Sequence, residues 1–169
     1  FELAVILQDG LQRMYHDQQN LSYYITLYNE SYPMPVMPPN VEEGIREGLY
    51  RFRSAPERAK HRAHLLASGP LVNEAVRAQD LLLRYGVASD VWSVTSYKRL
   101  RMSTLEAERW NLLHPESAPR TSFLQRTVGE FDGPCVAVSD YVRLVPQQIA
   151  HWIPGGLLAL GTDGFGRSD

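Results

Sequence analysis

Apolar residues recur along this chain with two different periods, and the switches between them divide it into elements. Over residues 2–16, Leu3, Ile6, Leu7, Leu11, Met14 and Tyr15 fall at helical spacing, with Gln8, Asp9, Gln12 and Arg13 opposite them. That spacing predicts an amphipathic helix. Residues 21–28 are rich in aromatic and β-branched side chains, the composition of a buried strand. Four prolines then fall within residues 33–39, removing backbone donors and fixing φ. Residues 29–44 therefore read as a connection between two domains. Residues 48–52 suit a first edge strand, and residues 54–62 an exposed turn.

From residue 63 strands and helices alternate. Residues 63–67 form a short apolar run that stops at Ser68-Gly69-Pro70, and a proline fits the first turn of a helix, where its missing N–H costs nothing. Leu71, Ala75, Leu82 and Tyr85 line one side of that helix until Gly86 stops it. Further strands are expected at residues 91–95, 135–138 and 157–160, so that Leu65, Val94, Val136 and Leu158 all lie in strands. Helices are expected near residues 106–113, at 123–128, and from Pro146 through Ile149 and Trp152. Such alternation implies a three-layer α/β/α domain with a mostly parallel sheet, preceded by the terminal helix and strand of another α/β domain.

The chain enters its first helical pattern with no capping residue before it and stops in a loop-like stretch at 164–169. It is accordingly expected to be a piece of a longer protein. Residues 1–44 would be the end of one domain plus a linker, and residues 45–169 a second domain truncated at its end. The apolar sides of the first helix and strand would then lack most of their partners. Residues 1–28 should be poorly protected, and the chain should self-associate.

Composition narrows the chemistry mainly by exclusion. A net charge of −2 with no block of like charges does not suggest a nucleic-acid partner. No stretch approaches the roughly 18 apolar residues of a membrane span, and the first residues lack the leader of a signal peptide, so a cytoplasmic protein is expected. The lone cysteine, Cys135, lies in an apolar run and reads as a buried structural thiol. Gly164-Phe165-Gly166 follows the last strand with no helix after it, so the dinucleotide fingerprint is not met. The five histidines fall apart from one another, and His61 and His64 straddle a boundary where alternate faces diverge. Glu42-Glu43 and the Glu106/Glu108 pair read as solvated charge. The residues by themselves mark no catalytic, cofactor-binding or metal site.

Longer strings carry more. Asp9-Gly10-Leu11, Tyr23-Tyr24-Ile25-Thr26, Glu42-Glu43-Gly44-Ile45-Arg46 and Ser89-Asp90-Val91-Trp92-Ser93-Val94-Thr95-Ser96 occur in this order. They are followed by Glu108-Arg109-Trp110-Asn111-Leu112-Leu113-His114-Pro115 and Gly161-Thr162-Asp163-Gly164-Phe165-Gly166-Arg167-Ser168-Asp169. Together they resemble the C-terminal part of the homodimeric, decarboxylating first component of bacterial pyruvate dehydrogenase complexes, thiamine diphosphate enzymes of the transketolase superfamily.

The resemblance implies that residues 1–44 close an aminopyrimidine-binding domain and that residues 45–169 are a transketolase-like C-terminal domain. The parent would use thiamine diphosphate and Mg²⁺ to decarboxylate pyruvate and pass the acetyl group to a lipoyl carrier. It would act as a homodimer beside a dihydrolipoyl acetyltransferase. The family's cofactor-binding and catalytic residues precede Phe1, so this piece is expected to bind neither cofactor nor metal and to serve packing and dimer assembly. Transketolases that use sugar phosphates place an arginine just after the strand at 21–28. The corresponding Asn29 and Glu30 are candidate substrate-channel or domain-junction residues, and the missing cation suits a substrate without phosphate. Equally, the two residues can simply terminate the strand. The alternative for the whole chain is an independent α/β interaction or binding module without thiamine chemistry.

Overall fold

The computed structural model describes residues 1–29, 31–56, 59 and 61–164. Helix α1 spans Glu2–Leu11 and runs on as a π-helical turn, Gln12–His16; α2 spans Glu42–Glu47. The domain that follows contains β1 (Leu49–Arg53), β2 (His61–Ala67), α3 (Leu71–Arg84) and β3 (Val87–Val94). It continues with α4 (Tyr97–Leu113), α5 (Phe123–Val128), β4 (Cys135–Val138) and α6 (Leu144–Gln147). A 3₁₀ turn, Ala150–Trp152, leads to β5 (Leu157–Leu160).

The five strands form one sheet in the order β1-β3-β2-β4-β5. β3, β2, β4 and β5 are parallel, and β1 closes one edge antiparallel to β3. Leu65, Val94, Val136 and Leu158 all lie in strands, as the apolar runs predict. Alternation along each strand feeds two cores. Leu66, Trp92, Cys135 and Ala137 face Leu100, Leu124, Val128 and Ile149 on one side. Ala67 and Val91 face Val72 and Ala75 of α3 on the other. Helices cover both faces, giving the three-layer arrangement expected.

Gly48 fixes how α2 meets the sheet. Its φ of +108° is a left-handed helix end that leads straight into β1, and its carbonyl accepts from the N–H groups of Thr95 and Ser96 at 3.0 and 3.2 Å. A side chain there would meet the Ser96 carbonyl at 2.6 Å.

Several expectations are corrected. Residues 21–28 form no strand, because no neighbouring strand among the described residues pairs with them; they run as an irregular segment with Tyr24 94% exposed. α4 begins at Tyr97, well before residue 106. Its N-cap Ser96 accepts from Arg99 N at 3.1 Å, and its buried stripe is Tyr97, Leu100, Thr104 and Ala107. β3 starts at Val87, because Ser89 and Asp90, polar in sequence, are both buried. β2 begins at His61, inside the expected turn, and the helix expected from Pro146 to Trp152 is broken into α6 and the 3₁₀ turn.

The first helix is also better seated than its sequence suggests. Phe1, Val5 and Ile6 pack against a cluster of Val41, Ile45 and Tyr50, whereas Leu7 and Leu11 on its outer side stay exposed.

Candidate functional site

The carboxyl ends of the parallel strands gather three loops: Ser68-Gly69-Pro70 after β2, Thr95-Ser96 after β3, and Ser139-Asp140-Tyr141 after β4. The chain leaves β2 through α3 on one face and leaves β4 through α6 on the other. Open α/β sheets hold ligands beside such a reversal. A cleft of about 600 Å³ lies here. The three loops form one wall; α1, Arg13, residues 23–28, Tyr32 and Met34 form the other.

The carboxylates that line it are bound to hydroxyl groups. Glu2 Oε1 accepts from Tyr50 Oη at 2.7 Å and from Ser93 Oγ at 2.6 Å. Asp9 Oδ2 accepts from Tyr23 Oη at 2.6 Å, with Arg13 Nη1 at 3.7 Å. Tyr28 Oη donates to Asp140. Arg99 is paired with Glu47 at 3.0 Å, which raises its pKa. Burial, reinforced by the Glu2 charge, pushes the Tyr50 phenol above its ordinary range.

Binding the diphosphate of thiamine with Mg²⁺ requires a hard oxygen set that meets both the metal and the phosphates. The carboxylates lining this cleft are each turned onto tyrosine or serine hydroxyls instead, and no cluster of His, Cys, Asp or Glu suited to a metal occurs among the described residues. The cleft does not fit that cofactor. What the arrangement does is clamp two parts of the chain together.

A second polar group lies nearer the amino ends of the strands. His64, buried on β2, stacks on Phe131 at 3.9 Å between ring centres. Trp92 Nε1 lies 3.3 Å from His64 Nδ1 and the backbone N of Asp132 lies 3.1 Å from Nε2, and a neutral imidazole accepts from one of the two. Burial lowers the histidine's pKa, against the opposing pull of Asp90 and Asp132. Asp90 is also buried; it accepts from Ala55 N at 2.7 Å and Arg62 Nη2 at 3.2 Å. Arg62 bridges onward to Asp132. This network pins the strand starts and explains why His61 and His64 are not joint ligands: one is exposed, the other enclosed.

Of the residues singled out from sequence, Asn29 is exposed and is not among the residues lining the cleft, and Glu30 lies outside the described residues. Cys135 is enclosed in the core, and burial pushes its thiol up to about 12. The groups that organise the cleft (Glu2, Tyr50, Ser93, Tyr28, Asp140) gave little signal. An acidic residue in a first helical turn reads as favourable to the helix dipole, which hides its longer-range partners.

Two family models match the chain. A transketolase-like C-terminal domain covers residues 48–169, and the middle domain of the pyruvate dehydrogenase E1 component covers residues 1–35. Curated relatives include the pyruvate dehydrogenase E1 components of Pseudomonas aeruginosa (44% identical over 171 residues), Mycolicibacterium smegmatis (45% over 172) and Escherichia coli K12 (45% over 172). Each similarity takes in all of this chain but only 18–19% of the relative's length.

Proposed function

The chain belongs to the family of transketolase-like C-terminal domains, and from that premise we propose that it is a non-catalytic C-terminal portion of a pyruvate dehydrogenase (acetyl-transferring) first component. The observation that carries this reading is similarity at 44–45% identity along the whole chain to relatives bearing that name. On this reading residues 1–44 end the aminopyrimidine-binding domain and its linker, and residues 45–169 are the C-terminal domain. The parent decarboxylates pyruvate with thiamine diphosphate and Mg²⁺ held by residues upstream of Phe1, and acetylates a lipoyl arm of a dihydrolipoyl acetyltransferase. It works as a cytoplasmic homodimer, to whose assembly this portion contributes packing surface. Among the described residues no helix is long and apolar enough to cross a membrane. On this reading Asn29 and Glu30 are candidate substrate-channel or domain-junction residues, Glu30 lying outside the described residues.

Titration calorimetry of the purified chain with thiamine diphosphate and Mg²⁺, paired with an assay for CO₂ released from pyruvate, tests the division of labour. No binding heat and no CO₂ are expected. Micromolar cofactor binding would place the site within these residues and overturn the proposal.

A further inference from the structure

We propose that Glu2 is a positioning residue, which through one carboxylate oxygen registers α1 on the sheet and so holds the far wall of the cleft. Tyr50 and Ser93, the two donors to that oxygen, are directly paired across the β1–β3 ladder. Glu2 thus grips two strands at once, at a point where both partners are buried. The aromatic ring of Phe1 meets that of Tyr50 edge-on at 6.4 Å beside this contact. Two further ties hang the rest of the wall: Tyr28 on Asp140, and the Pro33 carbonyl on Asn73 Nδ2 at 3.2 Å. Both are at the exposed surface, so neither sets the register as firmly.

Glu2 is the shared acceptor of two buried hydroxyls. Without Glu2 the two hydroxyls face a site that water reaches poorly, and a charged acceptor is the stronger partner in such a setting. The cleft between the carboxyl ends of the strands and residues 23–34 is therefore a composite space, present only while α1 is docked. This inference rests on the geometry alone and stands or falls separately from the thiamine-dependent reading.

An ordinary acidic residue at a helix start would act through its charge on the helix dipole. Glutamine separates the two roles, because its carbonyl oxygen can accept both hydroxyls but carries no charge. Segment-resolved hydrogen exchange should be measured on the chain with Glu2→Ala and with Glu2→Gln. Glu2→Ala is expected to speed exchange of amides 5–11 about tenfold or more, with β2 and β3 unchanged, and Glu2→Gln to stay within about threefold of the parent chain. The proposal is overturned if Glu2→Ala leaves amides 5–11 as slow as before. It is overturned equally if Glu2→Gln loses as much as alanine, or if the sheet loosens in step with the helix.

Discussion

Burial holds the Cys135 thiol in its neutral form, its pKa pushed up to about 12, and the thiolate is the species that alkylates. Iodoacetamide at pH 8 should therefore modify the folded chain at least about a hundredfold more slowly than the urea-unfolded chain; equal rates would place the sulfur at the surface. His64 makes the opposite kind of statement about pH. Its folded pKa is lowered, first by burial, so the unfolded chain takes up a proton at a pH where the folded one does not. Stability is then fully present above the ordinary histidine range. It declines as the pH falls through that range toward the lower folded value. Urea melts at pH 7.5 and 5.5 should show this loss, and His64→Gln should shrink the difference between them. A difference that survives the substitution unchanged would assign it to other groups. Sequence alone separated these residues only partly. The apolar run around Cys135 announced burial, whereas nothing adjacent to His64 marked its contacts with Phe131 and Asp132, which come from a loop far along the chain.

Among the elements, the strands at Cys135–Val138 and Leu157–Leu160 were legible because short apolar runs between turn signals have few other uses in such a fold. α5 was legible for a similar reason, and Ser122 and Gln125 close it with a reciprocal capping box. α4 was read too short because its inward stripe includes Thr104, whose hydroxyl donates to the Leu100 carbonyl at 2.8 Å and shares a hydrogen bond with the Ser122 hydroxyl at 2.9 Å. A buried polar residue satisfied in this way breaks the apolar period without breaking the helix. The string from Glu108 to Pro115 turns out to brace the following loop. Arg120 lies 3.9 Å over the Trp110 ring, Asn111 exchanges two hydrogen bonds with the backbone of Arg120, and Trp152 Nε1 donates to Glu108. Residues 21–28 were misread because a strand is defined by its neighbours, and strand-like composition cannot supply them. The connection at Gly48 is the element junction most exposed to substitution. Gly48→Ala should cost roughly 1–3 kcal/mol through the positive φ, with more added by the clash against the Ser96 carbonyl. A thermal melt unchanged from the parent would show that the α2–β1 turn can relax.

Across the whole molecule the chain leaves apolar side chains uncovered. α1 and the segment after it leave Leu7, Leu11, Tyr24, Leu27 and Val36 exposed, and the α/β/α body leaves Tyr85, Leu112, Leu144 and Leu158 exposed as well. Apolar side chains in water favour association where they lie together. Sedimentation velocity should therefore show a weight-average coefficient that rises with concentration, and a strictly monomeric chain would mean that the exposed side chains are too scattered to act together. A larger protein would cover the same surface. A chimera tests whether this chain can serve as the C-terminal portion of such a protein: the matching 171 residues of the Pseudomonas aeruginosa relative are replaced by this chain. The hybrid is supplied with thiamine diphosphate and Mg²⁺, and CO₂ release from pyruvate is measured beside the unmodified relative. Expected is a dimeric hybrid that releases CO₂ within about tenfold of the relative's rate, a margin of some 1.4 kcal/mol in barrier height. A folded hybrid that releases none while the relative does would contradict the assignment.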